Sequence, residues 1–155
     1  SKTSRKGRIL PEKGRVEKMP STKIEVNHNK IDRLQELDDF ARLLFPGNRN
    51  HQKVFLTVFL ELKYAPNRFL PSFAFICEKY QISPRVLETV RSKMRRMGLI
   101  AHVSRFNNRY GYLEGWIFSG RFKKACCRLG DFPAAVQERR GAVQKQKDRD
   151  LFRYL

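Results

Sequence analysis

Apolar residues first recur at helical spacing at Ile31, Leu34, Leu37, Phe40, Ala41 and Leu44, steps of three and four that predict one helix from after Asn29 to a stop at Pro46-Gly47-Asn48. Asn29 can cap it, with Asp32 three residues on, and the polar face carries Glu36, Asp38 and Asp39. A second, more apolar helix is predicted over 52–64, where Val54, Phe55, Val58, Phe59 and Leu62 form one stripe and Leu56 and Leu60 cover another side; this is the expected core helix. Asn50 or His51 can cap it, and Ala65-Pro66-Asn67 closes it.

A third helix is predicted over 71–79, its buried side supplied by Leu70, Phe73, Ala74, Ile76 and Cys77. After a short turn plugged by Ile82, Ser83-Pro84 marks the start of a fourth helix twice over, because serine caps well and proline suits the first helical position. At 100° per residue, Val86, Leu87, Val90, Met94 and Met97 gather on one face, with Arg85, Glu88, Thr89, Ser92, Arg95 and Arg96 around the other. Gly98 ends the helix. Residues 100–106 then alternate loosely, residues 112–118 are aromatic and apolar, and the polar run Asn107-Asn108-Arg109-Tyr110-Gly111 joins them, which predicts a β-hairpin with a positive tip. Gly115, inside the second strand, predicts a bulge or a close backbone approach.

Charge changes the picture at this point. The chain has 155 residues, 33 Lys and Arg against 15 Asp and Glu, and a formal net charge of +18. So much like charge repels itself in a compact state, and an anionic partner that neutralises it is the economical explanation. The excess is uneven. Residues 81–124 hold ten Lys or Arg against Glu88 and Glu114 alone, whereas residues 31–80 hold seven against six acids. Nucleic acid is the default polyanion; a membrane is the weaker choice, since no apolar run approaches the roughly 18 residues a spanning helix needs and no signal-like hydrophobic region opens the chain. Three cysteines, Cys77, Cys126 and Cys127, make an odd count that suits a reducing compartment, with Cys77 read as a small core residue and the adjacent pair as one buried and one exposed thiol. No C-x-x-C spacing accompanies the three histidines, so no metal site is legible, and no cofactor is expected.

The order helix, turn, capped cationic helix ending in Met97-Gly98-Leu99-Ile100, then hairpin, resembles the winged helix-turn-helix family over roughly residues 51–122. The fold class expected is therefore mostly α with a β-hairpin. The resemblance implies binding of double-stranded DNA, with helix 84–97 in the major groove and wing 105–111 on the backbone or minor groove. Carried over by position, Arg85, Thr89, Ser92 and Arg96 are the groove-facing residues, with Arg95 beside them, and Arg105, Asn107, Asn108 and Arg109 form the wing. Arginine suits both tasks, since its planar fork can bond guanine O6 and N7 while its charge holds phosphate. Glu88 departs from the pattern: it can accept from a cytosine amino group, orient a neighbouring arginine, or count against that face.

Three segments flank this unit. Residues 1–29 read as a disordered basic arm, broken by Gly7, Pro11, Gly14 and Pro20, that either adds phosphate contacts or serves as a solubilising tail. Residues 30–130 are the expected winged-helix domain with its accessory helix, closed by a short helix over 120–129 that Ser119 can cap. In that helix Phe122, Ala125, Cys126 and Leu129 face the core and Arg121, Lys123 and Lys124 extend the positive surface. Residues 131–155 form a helical or partly disordered extension, with a weak helix over 133–147 and an end, Leu151-Phe152-Arg153-Tyr154-Leu155, more apolar than a free tail requires. Residues 31–44 or 133–155 offer surfaces for a homodimer or a protein partner. A sequence-specific transcription regulator or replication-initiation factor, in the cytoplasm or nucleoid, or in a nucleus, is the leading expectation; a structured-RNA-binding protein and a protein-interaction subunit of a replication or transcription assembly are the alternatives. An enzyme is not expected, because the chain has no glycine-rich phosphate loop and Asp32, Glu36, Asp38 and Asp39 are solvent-facing helix residues more economically than a nuclease cluster.

Overall fold

A computed structural model describes residues 21–109 and 111–154, the side chains of Asn107 and Tyr154 excepted. Most of the arm expected over 1–29, namely 1–20, lies outside the described residues. The fold is a small mostly-α unit with one three-stranded antiparallel sheet. Its order is α1 (His28–Asp32), α2 (Leu37–Leu44), α3 (Arg49–Tyr64), a 3-10 turn (Pro66–Arg68), β1 (Phe69–Leu70), α4 (Phe75–Tyr80), α5 (Pro84–Met97), β2 (Ile100–Asn107), β3 (Gly111–Phe118), α6 (Arg121–Glu138), α7 (Ala142–Asp150) and a closing 3-10 turn (Leu151–Tyr154).

The single helix expected from Ile31 to Leu44 is two. Asn27, not Asn29, caps α1, its side chain accepting from the Asn29 and Lys30 amides at 3.0 and 3.3 Å. A new start is made at Glu36, whose side chain accepts from the Asp39 amide while Asp39 accepts from the Glu36 amide at 3.1 Å. This reciprocal pair satisfies two orphan donors, so the carboxylates favour a helix start over a continued helix. The two backbone amides of Glu36 and Gln35 hold the Asp39 carboxyl below its ordinary pKa. Further on, Asn48 rather than Asn50 or His51 caps α3, accepting from the His51 amide at 3.0 Å.

Val54, Phe55, Val58 and Leu62 of α3 are fully buried, as their spacing predicts, and pack against Leu44, Ile76, Val90, Met94 and Ile100. α4 begins four residues later than expected, because residues 71–74 form bends and a turn in which the Ala74 amide donates to Ser72 Oγ at 3.0 Å, and Leu70, expected on its buried side, lies in β1. β3 lies between β1 and β2, with Phe69 opposite Ile117 and Leu70 opposite Trp116. Gly115 keeps unbroken register with Val103, so there is no bulge; its close approach is to β1, where an added Cβ would stand 2.5 Å from the Leu70 carbonyl oxygen. α4 and α5 are joined by Gln81, in the left-handed region, and Ile82, which packs on the core. Ser83 occupies the cap position of α5 without a side-chain bond, and Gly98 closes the helix at φ +85°.

α6 is one helix of 18 residues that runs through Gly130 and Pro133, where the sequence suggests a break. The break falls instead at Arg139–Gly141. Pro133 removes one amide donor, and on an exposed helix water meets the carbonyl left over. Only Phe122 docks, edge-on to Phe40 at 5.9 Å, with its amide donating to the Gly98 carbonyl at 3.0 Å. Ala125, Cys126 and Leu129, expected in the core, are exposed, and so is Cys127. Cys77 is half-buried against the core.

Candidate functional site

Trp116 is the buried ring on which two arginines of α5 are stacked. The register of β2 and β3 sets it opposite His102, with ring centroids 4.9 Å apart. Phe73 packs on it at 5.5 Å. Arg91 of α5 lies over its ring at 4.6 Å and Arg95 approaches at 5.8 Å, so the indole's π face is satisfied by two guanidinium groups and the ring stays almost wholly buried.

Glu88 takes the second of its three sequence readings. Its carboxylate accepts from Arg91 Nε at 3.0 Å and from Arg91 Nη2, and from Ser92 Oγ at 3.1 Å. The Arg91 hydrogen bonds hold its carboxyl below the ordinary value, so Glu88 is a carboxylate at neutral pH. It fixes the rotamer of Arg91 over Trp116. His102 meets a second acid, Glu114, at 3.3 Å.

Between α5, the start of β2 and the first turn of α6 runs an open groove of about 490 Å³ lined by Glu88, Arg91, Ser92, Arg95, Arg96, Ile100, Ala101, His102 and Arg121. Four arginines from two helices thus share one polar groove with a single carboxylate lining it. α6 reaches this position because Gly98 has no side chain: a Cβ there would stand 2.8 Å from the Phe122 amide nitrogen and 2.8 Å from Arg121 Cβ.

Of the residues proposed from sequence, Ser92, Arg95, Arg96 and Arg121 meet in this groove. Arg85 and Thr89 are exposed further along α5, where the Thr89 hydroxyl donates to the Arg85 carbonyl at 3.0 Å. Arg105 is exposed on β2, Asn108 and Arg109 in the turn, and Lys123 and Lys124 on α6; none of these lines the groove. The Asn107 side chain lies outside the described residues.

Two residues carry roles that the sequence reading did not assign. Arg91 is one. The other is Lys93, only 7% exposed, whose ammonium donates to the carbonyl of Leu44 and, at 2.9 Å, to that of Lys23, and lies 4.4 Å from the Phe45 ring centroid. It closes the C-terminal end of α2, where carbonyls lack helical partners and a cation is favoured. Burial pushes the Lys93 ammonium below the usual lysine pKa, and burial together with the Lys93 charge lowers that of His51. A signal existed: Lys93 follows Val90 by three residues and precedes Met97 by four, which puts it toward the apolar side of α5.

Among the described residues no group of three or more His, Cys, Asp and Glu is placed to hold a metal ion, and no helix is long and apolar enough to cross a membrane. No family model matches the chain, and no curated protein or solved structure matches it.

Proposed function

We propose that this protein is a winged helix-turn-helix unit that binds double-stranded DNA, with α5 in the major groove and the β2–β3 turn against the backbone or minor groove. The observation that carries the reading is the groove in which Arg91, Arg95, Arg96 and Arg121 converge, on a chain of net charge +18. The architecture is compatible with it: α4, a three-residue turn and α5 follow one another directly, and the hairpin comes next in the chain. Glu88 supports the reading rather than opposing it, because it is already engaged in holding Arg91.

The contacts divide by task. Arg85 and Arg96 on the outer face of α5 read base edges, each worth about 1–3 kcal/mol of discrimination. Arg105, Asn108, Arg109, Arg121, Lys123 and Lys124 hold phosphate and carry no sequence information. The test is anisotropy titration of the full chain against random duplex DNA, duplex RNA, single-stranded DNA and a pool enriched for preferred duplex sites, at several salt concentrations. Duplex DNA binds tightest, with a logarithmic salt slope of roughly −5 to −9 if six to ten phosphates are neutralised. Arg96→Ala relaxes sequence preference, whereas Arg109→Ala weakens all duplexes alike. Equal or tighter binding of RNA or single strands at matched salt rejects the reading.

A second reading, a seat for a protein partner or a second copy, rests on a different observation. Leu129, Phe132, Val136, Leu151 and Phe152 leave large apolar surfaces exposed on α6 and the closing turn, with Leu129 at 69% and Phe152 at 75%.

A further inference from the structure

The β2–β3 hairpin outruns the core. Gly115 and Trp116 are buried, whereas Gly111, Tyr112, Leu113 and Glu114 are exposed, as are Ser104, Arg105 and Phe106 on the facing strand. Side chains alternate between the two faces of a strand, and the register sets His102 opposite Trp116, Ser104 opposite Glu114 and Phe106 opposite Tyr112. These residues therefore share one face of the hairpin. Its inner end lies under Arg91 and Arg95 and, through His102, lines the arginine groove. Its outer end is a pair of rings left in water, Phe106 76% and Tyr112 62% exposed.

Phe106 stands four residues beyond His102 on β2, roughly 14 Å at about 3.4 Å per residue, which is the reach of about four nucleotides of one strand. A nucleic-acid strand whose phosphates enter the groove can thus bring its bases to the rings. Arg105, on the other face, and Arg109, in the turn, set positive charge around them, which suits a polyanion better than an apolar protein surface. Glu114, the acid on the aromatic face, meets His102 at 3.3 Å. Phosphate cannot cover an aromatic ring, but the π face of a base can, and such stacking tolerates every base. In a duplex that face is open only where a step is unstacked or a base has lost its partner.

We propose that Phe106 and Tyr112 form an aromatic wedge that stacks on a base at an opened step of duplex DNA, while the arginine groove holds the adjoining phosphates. The proposal rests on the duplex-DNA reading above and gives the wing a task besides holding phosphate. The two contributions respond to different variables. Binding by the arginines follows salt, whereas binding by the rings follows the pairing state of the base. Opening a paired step has a cost that is absent where a base already lacks its partner. The preferred ligand is therefore a duplex that carries an unpaired base.

The experiment is anisotropy titration of the full chain, at several salt concentrations, against a fully paired duplex and the same duplex with a single unpaired adenine at its centre. The wild-type chain is expected to bind the second at least about fivefold more tightly at matched salt. The double variant Phe106→Ser with Tyr112→Ser is expected to lose most of that preference and to keep its salt slope within about 1 of wild type, because no phosphate contact is removed. Exchanging the rings, Phe106→Tyr with Tyr112→Phe, keeps both π faces and should keep the preference. Both positions are exposed, so circular dichroism and the thermal midpoint should not change in either variant. Equal affinity of the wild-type chain for the two duplexes overturns the proposal. A preference that survives in the serine variant also overturns it, since the unpaired base is then recognised elsewhere or through the flexibility it gives the duplex. Failure of the wild-type chain to bind either duplex with a steep salt slope is a separate result, and it overturns the duplex-DNA reading itself.

Discussion

Gly115→Ala isolates the contact on which the pairing of β1 with β3 depends. A Cβ at this position would lie 2.5 Å from the Leu70 carbonyl oxygen and 2.5 Å from Phe69 Cζ, where ordinary contact begins at 3.4 Å. The Phe69 ring can swing away, but the carbonyl belongs to the backbone of β1, which must retreat by the difference, 3.4 − 2.5 = 0.9 Å. β1 is two residues long, so a shift of that size releases its pairing with Ile117 and Trp116. Lost ladder bonds contribute about 1 kcal/mol each and overpacking about 1–3 kcal/mol, for a destabilisation of roughly 2–4 kcal/mol. That is a large share of a total stability on the order of 10 kcal/mol. The assay is urea unfolding followed by tryptophan emission, and Trp116 is the only tryptophan in the chain. With a slope near 2 kcal/mol/M, the midpoint should fall by about 1–2 M, and native emission should shift to the red as the indole loses its cover. Gly120→Ala is the control, since nothing lies within 4 Å of its Cβ position. A Gly115→Ala midpoint within about 0.3 M of wild type at unchanged slope, with native emission unmoved, refutes the close-approach argument.

Gly130→Ala should stabilise the protein by roughly 0.5–1 kcal/mol, because Gly130 lies inside α6 and a Cβ there meets nothing within 4 Å; a thermal midpoint that fails to rise would mean that the helix breaks where its sequence suggests. Glu61 accepts hydrogen bonds from Lys79, at 2.7 Å, and from Tyr80, clamping α4 to α3, and these bonds hold its carboxyl below the ordinary value of 4.5 while the bond to Glu61 raises the Tyr80 hydroxyl. A lowered folded pKa means the clamp contributes fully above the unfolded value and is lost as pH falls through the folded one. Glu61→Gln should therefore be less stable than wild type at neutral pH, with the difference vanishing in acid, as urea midpoints at a series of pH values would show; a gap that persists or widens in acid contradicts the assignment.

Sequence by itself determined the elements whose causes lie within about four residues along the chain. Ser83-Pro84 and Gly98 bound α5 to the residue, since a fixed proline φ and a left-handed glycine are local requirements. The fully buried stripe of α3 and the turn between β2 and β3 follow equally from spacing and turn chemistry. Where local signals competed, the structure chose between them: Glu36 and Asp39 could decorate a helix or begin one, and Gly130 and Pro133 could end a helix or be carried by it.

Only the tertiary structure decided the rest. β1 has two residues and no pattern of its own; it exists because β3 presents an edge whose amides and carbonyls need partners and because Gly115 leaves room for the Leu70 carbonyl. Arg91 and Arg121 share a groove because Gly98 lets α6 close against α5, a contact no window of sequence contains. Lys93 is buried for a reason that sits 49 positions away, the unfilled carbonyl of Leu44 at the end of α2. Periodicity records which face of a helix is apolar, but the partner that a buried polar group will find is set by how the faces meet, and that meeting is long-range.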